Sequence, residues 1–396
     1  MEYQSKVLSN KVTKLGWLFL GLGALLIILT FVLDKDRGMF NYLVMYMFIL
    51  SIGLGSLALV ALEYLAGAVW STPFRRVSEF LASVVPLLLL LVIPILFGLH
   101  DLYHWTHKEV VETDPILQGK EPYLNVGFFL IRVFAFIAIW ILFYIFLIRN
   151  SQKQDETRDV KHTTRNIKLS TVFIPIFVIT ITFTAIDFMM SLEPHWFSTI
   201  FGVYYFSGTI VASFAAITLV SVLLKENGYL NPRIKDEHFH SMGTYMFGFN
   251  IFWAYIAFSQ YLLIWYADIP EESFWYLTRW TGSWKFVSIA LFIIHFAIPF
   301  IVLLPKSMKT NLRTLKIMAV WLLFAHFLDL YWLIIPTYSG SGVVFGWMEI
   351  GFPLAAVGLI MLVFSFRAKK VNMMPIGDPK LERGLDLHIE PDLSID

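Results

Sequence analysis

The sequence contains no cysteine, and this absence limits the redox chemistry that the chain itself can support. Its 396 residues offer no thiol for a disulfide, a thiolate-held iron–sulfur cluster or a thioether-linked haem. A cysteine-anchored lipid is excluded for the same reason. Any redox centre that works with this protein must therefore use other ligands or belong to a partner subunit.

Charged residues are also scarce, at 15% of the chain against about a quarter in an average soluble protein. Hydrophobic residues make up 58%, and the mean hydropathy is +0.69. This composition indicates an integral membrane protein. The net charge of +1 gives no sign of a surface for nucleic acid, so lipid is an expected partner and nucleic acid is not.

Ten apolar runs are long enough to cross a bilayer as helices, which takes about 20 residues each. They lie at 15–33, 41–66, 77–99, 126–149, 169–190, 197–224, 242–267, 283–305, 314–336 and 347–366. We therefore predict an all-α, polytopic membrane protein with a ten-helix transmembrane domain over residues 1–370. The polar, proline-containing residues 371–396 are predicted to form an extended tail that becomes ordered only against another chain.

The positions of Lys and Arg predict the orientation. An even number of spans places both termini on one side, and 23 of the 30 Lys and Arg residues lie in the termini and loops of that side. By the positive-inside rule this side is the cytoplasm. Trp and Tyr residues crowd near the opposite, outer face, among them Tyr204, Trp265, Tyr276 and Trp332. They are expected to form an interfacial belt, with a docking surface as the alternative.

Ionisable residues inside the spans are few, and each costs at least about 2.5–3.5 kcal/mol near the bilayer centre. From the inner to the outer side, the predicted proton path consists of Glu63, His295, His326, Asp329 and Asp187. Arg132 is expected to supply a supporting ion pair, with Asp187 or Asp329. Two alternatives stay open: the charges only lock helices together, or His295 and His326 ligate a b-type haem.

Two outer segments carry further polar residues. Glu193, His195 and Trp196 lie in the turn after the fifth span, where we predict a cap or a docking contact for an extrinsic subunit. A second segment spaces its histidines at i, i+4 and i+7, which would put them on one helix face. These are His100, His104 and His107. We interpret this segment as a polar interfacial helix and predict no metal site.

Four motifs carry a resemblance to a known family. They are DFMMSLEPHWFST (187–199), FWAYIAFSQYLLIWYADIPEE (252–272), HFAIPFIVLL (295–304) and HFLDLYWLIIP (326–336). Together they resemble the smaller membrane subunit of bacterial alternative complex III, the quinol:cytochrome c oxidoreductase. That subunit is of the polysulfide-reductase-like, NrfD type, and the resemblance covers nearly the whole chain before it fades in the tail.

The resemblance implies two four-helix bundles with flanking helices in the bacterial inner membrane and no cofactor bound by this chain. It implies that quinol is oxidised near the outer face and that iron–sulfur clusters and haem c reside in partner subunits. These partners are a larger homologous membrane subunit, an iron–sulfur subunit, a multihaem cytochrome c and small membrane subunits. The resemblance also allows a terminal oxidase as a further partner. Within the motifs, Asp187, His295, His326 and Asp329 match ionisable positions.

We therefore expect a subunit that provides a proton path for a quinol-oxidising complex and could form part of a quinol environment, without complete catalytic activity alone. A scaffold that only clamps the larger homologue and the extrinsic redox subunits is the first alternative. A stand-alone secondary transporter is the second. It would need helix breaks at mid-membrane in corresponding places of two halves.

Overall fold

The computed structural model describes residues 8–387, and over these residues it is all-α, as predicted. Ten of its helices are long and apolar enough to span a membrane, which marks a multi-pass membrane protein. They are α1 Asn10–Leu33, α2 Lys35–Ala66, α3 Thr72–Phe97, α4 Val126–Thr157, α5 Lys161–Phe188, α6 Phe201–Glu226, α7 Glu237–Ala267, α8 Trp284–Leu303, α9 Leu312–Tyr338 and α10 Trp347–Ala368. Each overlaps one predicted run.

Helices α2–α5 form one four-helix bundle and α6–α9 form a second, with α2 and α6 packed against each other between them. Nearly the whole of α2 and most of α6 are buried inside the protein. A helix that is apolar on all sides is expected in such a central place. Below, the predicted outer end is the end where the turn between α5 and α6 lies, and the predicted inner end is the opposite one.

Helices α1 and α10 pair with each other beside the bundles, and small residues allow them to approach closely. A Cβ atom on Gly23 would lie 2.5 Å from the backbone nitrogen of Ala355, and one on Gly358 would lie 2.4 Å from that of Leu20. Small residues at membrane helix contacts allow backbones to touch. This pair corresponds to the predicted flanking helices.

Two spans are irregular. Helix α3 is interrupted by a 3₁₀ turn at Val85–Leu87, and α8 contains a π-helical segment at Phe292–Ala297, just before Pro299. Proline has no N–H to donate to the carbonyl of His295, so the α-helical pattern cannot continue there. The two irregular spans hold different positions within their bundles. In the described part of the chain they do not form the corresponding breaks that a transporter would need.

Residues 371–387 fold back on the predicted inner end of the helices. They include a short helix, Leu381–Leu385, and the side chains of Met373 and Met374 are buried. Asp378 binds Arg75 at 2.6 Å. The prediction of an extended segment that needs another chain is therefore wrong for these residues, because their apolar and acidic side chains find partners within the protein. Residues 388–396 of the predicted tail lie outside the described residues.

Candidate functional site

Three ionisable side chains meet inside the second bundle, and we call them the His–His–Asp cluster: His295, His326 and Asp329. One nitrogen or oxygen atom from each lies within 4.8 Å of the other two, and all three residues are buried. His326 and Asp329 stand on the same face of α9 because three residues make nearly one turn. Helix α8 contributes His295 from its π-helical segment. Three of the five residues that were predicted for the proton path therefore lie close together.

Asp329 is held by donors from two further helices. The hydroxyl of Tyr204 on α6 donates to Oδ1 at 2.5 Å, and the indole Nε1 of Trp253 on α7 donates to Oδ2 at 3.1 Å. A buried carboxylate needs such partners, since an unpaired one is very costly in an apolar interior. All four helices of the second bundle therefore contribute to the site.

His326 has one nitrogen engaged and one free. Its Nε2 lies 3.0 Å from the hydroxyl oxygen of Ser51 on α2. The Ser51 hydroxyl has its own acceptors, the carbonyl of Met47 at 2.9 Å and the hydroxyl of Tyr205 at 3.0 Å. Ser51 therefore accepts a hydrogen from Nε2, and this network assigns the tautomer with a lone pair on Nδ1.

Three buried nitrogen atoms of the cluster have no hydrogen-bond partner: Nδ1 of His326 and both ring nitrogens of His295. The His295 ring stacks on Trp253 with ring centroids 3.6 Å apart and planes 15° apart. A buried polar atom without a partner costs about 1–3 kcal/mol. Three such atoms in one place indicate a site suited to receive a proton or a small polar ligand.

The π-helical segment that carries His295 is supported from both neighbouring helices. The indole of Trp321 on α9 donates to the carbonyl of Ile294 at 2.7 Å, and the amide of Asn250 on α7 reaches the carbonyl of Phe296 at 3.4 Å. These two side chains donate hydrogen bonds to carbonyls inside the irregular segment. π-Bulges are frequent at functional sites.

A groove of about 1020 Å³ runs between α7, α8 and the short helix Pro270–Trp280, on the side of the cluster toward the predicted outer end. Half of the residues that form its walls are aromatic. They include Tyr204 and Trp253, the two residues that hold Asp329. Several wall residues, such as Phe258 and Phe292, are about 60% exposed on the lipid-facing surface. The groove therefore joins the membrane surface to the side chains around the cluster.

Arg279 fixes the wall of the groove nearest the predicted outer end. Its guanidinium donates to the carbonyls of Trp332 at 3.2 Å and Leu333 at 2.8 Å on α9. The Trp332 carbonyl has no helical partner because the residue four positions on is Pro336. Burial lowers the pKa of Arg279 to about 10, which leaves it charged at neutral pH. Arg279 thus joins Pro270–Trp280 to α9.

The other two residues of the predicted path lie elsewhere in closed ion pairs. Asp187 accepts from Arg132 at 2.8 and 2.9 Å and from the Tyr123 hydroxyl at 2.9 Å, in a contact between α4 and α5. Glu63 binds Arg75 at 2.6 Å at the predicted inner end. The Arg132–Asp187 contact is the ion pair considered from the sequence, and neither acid joins the cluster.

The predicted docking residues mostly contact their own chain. Trp196 is buried, stacks on Trp275 at 4.4 Å and donates to the carbonyl of Glu272, so its side chain is not available to a partner, and that prediction is wrong. Glu193 accepts from Thr337 at 3.0 Å. His195, which is about half exposed, lies 2.5 Å from Asp114. For Glu193 and His195 the docking role stays a prediction.

The histidines of the second outer segment do not converge on one point in the way a metal site would require. His107 Nε2 lies 2.9 Å from the backbone carbonyl of His100, and His100 Nδ1 lies 2.9 Å from the hydroxyl of Thr106. These contacts shape the loop. Among the described residues, the group that could hold a metal ion is the His–His–Asp cluster.

Four residues that shape the cluster could not be recognised from the sequence. Ser51, Tyr204 and Trp253 hold its members by hydrogen bonds. Gly208 leaves room for the His326 ring, which a Cβ atom there would approach to 2.9 Å. Tyr204 looked like a member of the interfacial belt, and Ser51 lies within an apolar run. The sequence does show polar side chains within the other buried helices, and these could have suggested partners for the ionisable residues. No family model and no curated protein matches the chain.

Proposed function

We propose that this chain is a membrane subunit of a respiratory quinol-oxidising complex that holds no redox cofactor of its own, and that its His–His–Asp cluster carries protons. The observation that supports this most is the cluster itself. It combines a buried carboxylate with two imidazoles that have unpartnered nitrogens, near the middle of two spans. Ionisable groups at such depth are expensive and commonly belong to proton or ion paths.

The chemistry follows from the tautomer of His326. The free lone pair on Nδ1 can accept a proton, and Nε2 can pass its own proton to the hydroxyl of Ser51. Ser51 in turn donates its own proton to the hydroxyl oxygen of Tyr205 at 3.0 Å, while Thr209 donates to the Ser51 oxygen at 3.3 Å. These groups form a relay at the contact between α2 and α6.

The groove supports the connection to quinol. It is apolar, open toward lipid and bordered by Tyr204 and Trp253, so a quinol headgroup in it would lie next to the side chains that hold Asp329. Oxidation of a quinol releases two protons with two electrons. Under this proposal the protons reach the cluster, while the electrons pass to iron–sulfur clusters and haem c in partner subunits, because this chain has no cysteine.

The proposal includes the setting that the resemblance implies. The protein lies in the bacterial inner membrane with both termini in the cytoplasm, as its Lys and Arg distribution indicates. Its partners are the larger homologous membrane subunit, the iron–sulfur and multihaem cytochrome c subunits and the small membrane subunits of alternative complex III, with a terminal oxidase as a further one.

The test is the Asp329→Asn variant in the intact complex. The amide keeps the size of the side chain but cannot carry a proton, so quinol turnover and proton release should fall by about tenfold or more. Asp36→Asn at the predicted outer end of α2 makes the same chemical change at an exposed carboxylate outside the cluster and should leave both unchanged. Wild-type turnover and wild-type proton release in Asp329→Asn would contradict the proposal.

One set of observations favours the scaffold alternative. The Arg132–Asp187 pair and the binding of Arg75 to Glu63 and Asp378 tie helices and the C-terminal segment together. For a scaffold, variants of the buried acids would lower the amount of assembled complex, and turnover per assembled complex would stay at the wild-type value. Measuring both quantities on Asp329→Asn therefore separates the two functions.

A further inference from the structure

The cluster brings together three buried side chains of the kinds that bind transition metals. We propose that His295, His326 and Asp329 bind one divalent transition-metal ion of the zinc class through two imidazole nitrogens and one carboxylate oxygen. Two histidines and a carboxylate form a recurrent site for zinc and for other first-row metals, whereas calcium and magnesium prefer oxygen ligands. This inference goes beyond the proton path. The two uses exclude each other in one molecule at one time, because a bound zinc ion takes the lone pair of His326 Nδ1 and the carboxylate that the path needs.

The ring nitrogens without hydrogen-bond partners are the atoms that would bind the metal. A histidine binds a metal through a lone pair on one nitrogen while the other ring N–H usually donates to a neighbouring group, which fixes the tautomer. His326 has this arrangement, since Nε2 faces Ser51 and Nδ1 carries the free lone pair. His295 has no hydrogen bond to lose at either nitrogen.

The carboxylate is also oriented as outer-shell contacts orient a metal ligand. Asp329 is held by the hydroxyl of Tyr204 and the indole of Trp253, so its two oxygens are fixed before any ion arrives. Each carboxylate oxygen has two lone pairs, so an oxygen of Asp329 that already accepts a hydrogen bond can also bind the ion. Asp329 also offsets part of the charge of the ion.

The cluster has to contract for the ion to bind. Ligand atoms at about 2.0–2.2 Å from a tetrahedral zinc ion lie about 3.4 Å apart. One nitrogen or oxygen atom from each residue lies within 4.8 Å of the others, so ligand atoms at that distance would have to close by up to about an ångström and a half. His295 is the side chain that can move, because stacking on Trp253 holds its ring and hydrogen bonds do not.

The experiment uses the full chain in its purified complex, stripped of metal with a chelator and then supplied with zinc ions alone. We expect one zinc per chain after desalting. X-ray absorption should show nitrogen and oxygen ligands at about 2.0–2.1 Å with scattering from two imidazoles. His295→Gln and His326→Gln should each weaken binding by about 100-fold or more, and Ser51→Ala by about 10–100-fold.

The matched control is His104→Gln, which changes an exposed histidine outside the cluster and should bind zinc as the wild type does. Cobalt ions bound to the wild-type protein give a measurement that does not depend on any variant folding correctly. X-ray absorption at the cobalt edge should show a four-coordinate ion, a signal that the visible bands of haem c in the complex do not hide. A wild type that binds no stoichiometric zinc, or zinc retained equally by His295→Gln and His326→Gln, would overturn the inference.

The outcome is independent of the proton-path test. Turnover and proton release of Asp329→Asn are measured in chelator-treated complex without added metal, so they report on the path alone. Failure to bind zinc together with low turnover in Asp329→Asn would reject only the metal site. Stoichiometric zinc together with wild-type turnover in Asp329→Asn would reject only the proton path.

Discussion

At the scale of single residues, a glycine determines whether His326 can occupy its place. A Cβ atom on Gly208 would lie 2.9 Å from Nδ1 and 3.0 Å from Cε1 of the His326 ring. The ring cannot move away freely, because Ser51 holds its other nitrogen. We expect Gly208→Ala to lower the free energy of unfolding by about 1–3 kcal/mol and to reduce turnover.

The measurement is thermal unfolding of the purified protein in detergent, together with turnover of the complex. Gly248→Ala on α7 is the matched control, because a Cβ atom there meets nothing within 4 Å. Alanine in a helix is more stable than glycine by about 0.5–1 kcal/mol, so this control should unfold at the same or a higher temperature. Equal behaviour of the two variants would show that His326 is not confined.

The Arg132–Asp187 pair predicts an unequal response to removal of its two members. Removing one partner of a buried pair costs about 3–5 kcal/mol, because the other charge stays uncompensated. A carboxylate can take up a proton and become neutral, but a guanidinium cannot lose its charge. Asp187→Leu should therefore lower the unfolding temperature more than Arg132→Leu. The double variant should be more stable than Asp187→Leu, and the opposite order would contradict this account.

Part of the His–His–Asp cluster could be predicted from the spacing of residues in the sequence. The spacing of His326 and Asp329 already places them on one face of a helix, because neighbours three apart lie within one turn. It cannot show that Tyr204, Trp253 and Ser51 meet them, since these contacts join helices separated by many residues in the chain. Such contacts depend on which helices pack against each other, and a hydropathy pattern does not show this.

At the scale of whole elements, the ten spans were predictable because bilayer thickness imposes their length. The irregularities inside them were not. Pro299 signals a break in α8, but the π-helical segment is stabilised by donors on other helices, Trp321 and Asn250. The buried acids show the same limit. A charge in a span indicates that a partner exists, and only the fold shows that Arg75 binds Glu63 and that Arg132 pairs with Asp187 rather than with Asp329.

The short outer helix Pro115–Lys120 carries a prediction about pH. Burial alone would raise the pKa of Asp114, but hydrogen bonds from His195 and from the backbone N–H groups of Ile116 and Leu117 hold it below its ordinary value of 3.8. A carboxyl with a lowered pKa in the folded state contributes stability above its ordinary pKa and loses it as the pH falls. The loop should therefore loosen when the pH falls below about 4.

Cleavage of this loop by pepsin measures the effect, because pepsin works in acid. The comparison is with Asp114→Asn, whose amide does not titrate. At a pH of about 5 the wild type should be cleaved more slowly than the variant, and the difference should vanish toward pH 2 as the carboxylate is protonated. A difference that stays constant with pH would show that the charge of Asp114 does not hold the loop.

At the scale of the whole molecule, the structure assigns the C-terminal segment to the chain itself. Asp378 binds Arg75 beside Glu63, and the ring of His238 at the start of α7 lies 3.1 Å from the carbonyl of Gly384. The segment therefore joins α2, α3 and α7 at the predicted inner end. The polar composition of this segment predicted an extended tail. It did not reveal the docking, because a few buried side chains are enough to hold a short segment against the protein.

Truncation tests whether this docking stabilises the isolated protein. Removing residues 371–396 takes away one partner of Arg75 and uncovers the apolar surface under Met373, Met374 and Leu381, so the unfolding midpoint should fall by roughly 5 °C or more. Removing only residues 388–396 is the comparison, because it leaves these contacts in place, and the midpoint of the longer truncation should lie below that of the shorter one. If the longer truncation left the midpoint unchanged but released a subunit from the complex, the segment would serve a partner, as the sequence alone suggested, rather than its own chain.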